Sequence, residues 1–129
     1  MKIIAAALLC AVAAAPCAWG QEITPTERRY AWEHVKATSI ASIALMQASL
    51  TCHVLDVPTA NGAIAGLIAD ARTDWLSYGP PGPQLEGILH EGQRQGLAKA
   101  TPEGCAYLRA DPATTLHIKR TALLLGRSR

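Results

Sequence analysis

The segment from Thr24 to Asp56 reads TPTERRYAWEHVKATSIASIALMQASLTCHVLD and contains no glycine, with one proline at its second position. Thr24 offers a side-chain oxygen to the orphan amides of a helix start. Pro25 suits the first helical position, and Glu27 stands where a capping box places its acid. A helix therefore starts at residue 25, and nothing breaks it before Pro58, although Thr38, Ser39, Ser42, Ser49 and Thr51 weaken it.

Two apolar stripes run along this helix. One passes through Trp32, Val35, Ile43, Met46, Leu50 and Val54, the other through Tyr30, Ala37, Ala41, Leu45, Ala48, Cys52 and Leu55. A helix apolar on two sides is usually the central member of a bundle. Its first turns carry Glu27, Arg28, Arg29, Glu33 and Lys36 and are expected to be solvated beyond the core.

Downstream, Asp56-Val57-Pro58-Thr59 breaks and restarts the chain. A second helix is predicted over 59–78, with Ala63, Ile64, Leu67, Ile68, Ala71 and Trp75 at helical spacing. Gly79-Pro80-Pro81-Gly82-Pro83 ends it, since this run can neither continue a helix nor pair as a strand. A third helix, 83–100, turns Leu85, Ile88, Leu89 and Leu97 inward. Thr101-Pro102 and Asp111-Pro112 repeat the cap-then-proline start and predict helices over 102–110 and 112–125, with a fraying tail from Gly126 to Arg129. No stretch alternates as a strand does, and Asn61-Gly62 falls inside a helical pattern, so the fold class is all-α, a bundle of four to five helices.

Upstream, Met1-Lys2, an apolar run from Ile3 to Ala15 and the small-residue site Ala18-Trp19-Gly20 have the layout of a secretory signal, with cleavage expected after Gly20. The apolar run is shorter than the roughly 20 residues that a membrane-crossing helix needs, and Ala15-Pro16 before Cys17 fits a lipid-attachment site poorly. The expected mature chain is a single domain, 21–129, with no stable membrane insertion, located in the periplasm or secreted. Its apolar fraction drops from 50% to an ordinary value of about 43%. It carries one more basic than acidic residue, which gives no ground for a nucleic-acid partner.

Export changes the meaning of the cysteines. Cys10 and Cys17 leave with the leader, and Cys52 and Cys105 remain as an even pair, read in an oxidising compartment as a structural disulfide. The spacing fits neither a redox C-x-x-C nor a haem-attachment motif.

Aromatic residues are scarce, with no Phe in the chain, and the segment Trp75-Leu76-Ser77-Tyr78-Gly79-Pro80-Pro81-Gly82-Pro83 concentrates two of them beside a stiff turn. Large aromatics on a rigid loop lose little entropy on binding, so Trp75, Tyr78, Pro80 and Pro81 form the expected partner-binding surface. Trp75 closing the end of the bundle core is the competing reading. Two glycine pairs, Gly62 with Gly66 and Gly92 with Gly96, mark helix faces that admit close approach, from within the bundle or from a partner helix.

Asp70 and Asp74 repel across one turn, yet two carboxylates make a poor calcium site and read as a solvated pair. His34, His53, His90 and His117 are scattered without metal-ligand spacing, and a haem ligated by Met46 would lack aromatic walls, so no metal and no cofactor is expected. No nucleophile elbow, phosphate loop, dinucleotide fingerprint or glycosidase carboxylate pair is present, and no enzyme activity is expected. From Arg109 onward the chain is basic, which suits helix C-termini or an acidic partner.

Small exported helical proteins with one disulfide include acid-stress chaperones and periplasmic inhibitor or immunity proteins, and no motif singles out one of them. The expected function is non-enzymatic binding of another protein, the alternative a small-ligand or metal carrier.

Overall fold

A computed structural model describes residues 23–127, and the expected signal segment and its cleavage site lie outside the described residues. Five helices account for most of those residues: α1 Pro25–Thr51, α2 Val57–Tyr78, α3 Leu85–Lys99, α4 Pro102–Ala110 and α5 Pro112–Arg127, with no strand among the described residues.

The capping box at the start of α1 forms as the sequence requires: Glu27 N–H donates to Thr24 Oγ1 at 3.2 Å and Thr24 N–H to the Glu27 carboxylate at 2.9 Å. The helix ends earlier than its composition suggested. His53 adopts φ 60°, a left-handed backbone, Val54 N–H returns to Ser49 O at 2.8 Å and His53 N–H to Leu50 O at 3.0 Å. These two bonds make a Schellman stop, built here on histidine rather than on the usual glycine. Asp56 then caps α2, accepting from Thr59 N–H at 2.8 Å, so α2 begins two residues before its expected start. Thr101 caps α4 in the same way, through Gly104 N–H at 3.1 Å.

α1 and α2 form an antiparallel hairpin, and Arg28 near the start of α1 reaches Ser77 near the end of α2. α3 runs alongside α1 in the same direction: Gly92 sits against Ile40 and Ile43, and Gly96 one turn later against Ala44 and Gln47. α5 packs on the first half of α2, where Gly66 meets the Leu125 carbonyl and Gly126 meets Gly62. The glycine pairs are thus internal seams. At Gly66 a Cβ would stand 2.0 Å from Leu125 O, and at Gly96 2.6 Å from Ala44 O, distances no side chain tolerates. The same seam keeps α5 helical to Arg127, through the Gly126 that composition assigned to a fraying tail.

The core joins Trp32, Ile43 and Met46 of α1, Ala63, Ile64 and Leu67 of α2, Ile88 of α3 and Ile118 and Ala122 of α5. Of the second stripe on α1, Ala48, Cys52 and Leu55 are buried while Tyr30, near the helix start, and Leu45, in a groove beside α4, are exposed. Leu97 is exposed as well, since the glycine line of α3 faces α1, while Leu89 is half-buried against the core.

Cys52 and Cys105 are disulfide-bonded with Cα atoms 5.1 Å apart. The bond ties α4 to the end of α1. Beside it, the Arg109 guanidinium donates from both Nε (2.8 Å) and Nη2 to the Cys52 carbonyl, an orphan acceptor at a helix C-terminus. Arg109, though exposed, is therefore engaged within the fold, and the free basic residues begin further along.

Candidate functional site

α1, at 27 residues, is far longer than the 15-residue α3 beside it. Its first turns are faced instead by the end of α2 and the proline turn that follows. Between them lies a cleft of about 390 Å³ lined by Pro25, Arg28, Arg29, Trp32, Glu33, Tyr78, Gly79, Pro80 and Pro81. Trp32, only 2% exposed, forms part of its floor.

Two contacts hold the walls in place. The Trp75 indole N–H donates to Pro80 O at 2.8 Å, and the Arg28 guanidinium donates to Ser77 O at 2.9 Å. Gly79 allows this geometry, because a Cβ there would fall 1.9 Å from the Trp75 ring. Gly82, at φ 104°, then takes the left-handed turn that releases the chain toward α3.

Of the four residues the sequence singled out for binding, Tyr78, Pro80 and Pro81 line the cleft. Trp75 does not. It is half-buried against the core and its one polar group is spent on Pro80, so it braces the turn. The sequence reading missed Arg28, Arg29 and Glu33 as site residues and took Trp32 for core alone. Their proximity to Tyr78 follows from the antiparallel hairpin, which brings residues separated by 49 positions into contact.

Arg29 is exposed and forms no ion pair among the described residues, where the one bridge is Arg94 to Glu91. The cleft thus presents two rigid prolines, the Tyr78 ring, an unpaired guanidinium at Arg29 and, one turn along α1, the Glu33 carboxylate. A second apolar groove, about 340 Å³, lies between α1 and α4 around Leu45, Tyr107 and Leu108, next to the Cys52–Cys105 bond.

Elsewhere the chemistry is structural. Met46 is buried in the core, and among the described residues no group of three or more His, Cys, Asp or Glu side chains gathers as a metal site. No described helix is long and apolar enough to cross a membrane. Asp74 is half-buried and Asp70 exposed. No protein-family model matches the chain, and neither the curated proteins nor the solved structures contain a match.

Proposed function

We propose that this chain is an exported, non-enzymatic helical protein of the periplasm or the secreted fraction that acts by binding another protein, in an inhibitor, immunity or chaperone-like role. The observation that carries this reading is the braced cleft at the start of α1. Tyr78, Pro80 and Pro81 give contact area on a backbone that has little freedom left to lose, and affinity rises when ordering costs are met before binding. Arg29 adds a charge that selects the partner. The fitting occupant is a segment that seats an apolar side chain against Tyr78, Pro80 and Pro81 with a carboxylate beside Arg29. The Cys52–Cys105 bond supports an oxidising compartment.

The cleft volume also lies in the range of small-ligand sites, roughly 300–1,000 Å³. A small anionic or apolar ligand is accordingly the second reading.

The test is capture from an extract of the compartment that holds the protein, followed by titration with the purified partner. Arg29→Glu and Tyr78→Ser should each weaken the complex at least tenfold. A partner held equally by wild type and both variants would place binding elsewhere, and native mass spectrometry showing a bound small molecule would favour the second reading.

A further inference from the structure

α5 buries Ile118 and Ala122 and turns the opposite face outward, with Leu116, Leu123 and Leu124 exposed at 47%, 51% and 64%. At about 100° per residue, Leu116, Arg120, Leu123 and Arg127 fall in one narrow sector, with Lys119 and Leu124 on its flanks. The helix contains no Asp or Glu between Pro112 and Arg127. Asp111 is engaged with Ala113 N–H and the Thr114 hydroxyl at the helix start, and Asp56, which lines a pocket with Lys119 and Leu123, is engaged with Thr59 N–H. None of the three cations forms an ion pair among the described residues.

We infer that this face of α5 lies on an anionic lipid surface, with the leucines entering the headgroup boundary and Lys119, Arg120 and Arg127 contacting lipid phosphates. Charge complementarity picks the occupant: three unpaired cations on a helix that itself carries no acid, interleaved with leucines, are the pattern of a helix that rests in the plane of a bilayer interface. Composition agrees with it. The face carries no aromatic anchor, and protein interfaces centre on anchors seated in pockets. A bilayer yields around exposed leucines while long basic side chains extend to the headgroups. The seam at Gly66 and Gly126 keeps α5 on the body, so attachment is peripheral.

The experiment is flotation of the exported protein, its N-terminus read by mass spectrometry, with vesicles of equal phosphatidylglycerol and phosphatidylcholine or of phosphatidylcholine alone. Wild type should float with the anionic vesicles only and be released at high salt. Each basic residue near such a surface is worth about fivefold in partition, so Lys119→Gln/Arg120→Gln/Arg127→Gln should lose about a hundredfold. Leu123→Ser/Leu124→Ser, at exposed positions, should lose more than about tenfold. Lys99→Gln, an exposed cation at the end of α3, should leave partition within about twofold of wild type because it stands off this face. Circular dichroism checks that each variant is folded. Wild type that stays off the anionic vesicles, the outcome an acidic protein partner would produce, overturns the inference. So does wild-type partition by either α5 variant.

Discussion

Gly96→Ala and Gly87→Ala make the same chemical change on the same helix and should move stability in opposite directions. Both sites lie in α3, and replacing an interior helical glycine by alanine gains about 0.5–1 kcal/mol from backbone entropy alone. At Gly87 the new methyl meets no atom within 4 Å, so that gain stands unopposed. At Gly96 it would lie 2.6 Å from both Ala44 O and Gln47 Cβ. Carbon atoms pack at about 3.5–4.0 Å, so α3 must retreat from α1 by about 1 Å, opening the neighbouring contact of Gly92 on Ile43. Overpacking of this kind costs about 1–3 kcal/mol and exceeds the propensity gain. The expected net loss is about 1–2 kcal/mol. At about 4–8 °C per kcal/mol for a domain of this size, Gly96→Ala should melt several degrees below wild type and Gly87→Ala a few degrees above it. Urea unfolding under non-reducing conditions should show shifted midpoints with an unchanged m-value. A Gly96→Ala protein as stable as Gly87→Ala would refute the close α1–α3 seam.

Reduction, or Cys52→Ser with Cys105→Ser, opens a loop with a separation of 53 residues and should cost about 4 kcal/mol on the chain-entropy account; unreduced protein that accepts alkylating reagent at both cysteines contradicts the bond. The Ser49 hydroxyl is fully buried without a hydrogen bond among the described residues, so Ser49→Ala should raise stability by about 1 kcal/mol, read from the same urea midpoints. Hydrogen bonds from Thr59 to Asp56 and from Thr114 and Ala113 to Asp111 hold both carboxyls below their ordinary value, and bonds from Arg94 and Gln95 bring Glu91 down to about 2. Because the folded values are depressed, this stability is present above the unfolded carboxylate range near pH 4 and is lost as pH falls through the folded values. Stability should therefore decline below about pH 4, and Asp56→Asn, which keeps the cap without the charge, should flatten part of that decline in a pH series of melting curves.

Helix starts were the most legible part of the sequence. Thr24, Thr101 and Asp111 each precede a proline and satisfy amides within three residues, so the information is local. The stop of α1 was less legible, because a left-handed His53 carries no compositional mark comparable to glycine and is held by bonds to Ser49 and Leu50. The disulfide could be read from cysteine count and expected compartment. Arg109 could not, since its partner is a carbonyl 57 residues away.

The candidate site divides along the same line. Tyr78, Pro80 and Pro81 stood out in the sequence because aromatics and prolines in one short run are visible without a fold. Trp32, Arg28 and Arg29 belong to the same cleft only because α1 and α2 run antiparallel, and Trp75 left the cleft because its indole found the Pro80 carbonyl.

By itself, then, the sequence determined the helical class, the helix starts and the covalent staple. These rest on capping, backbone freedom and cysteine chemistry within a few residues or in a simple count. Only the tertiary structure decided which glycines are seams, which leucines stay wet and which arginine is spoken for. Those outcomes depend on which helix faces meet, and that is fixed by the joint packing of α1, α2, α3 and α5.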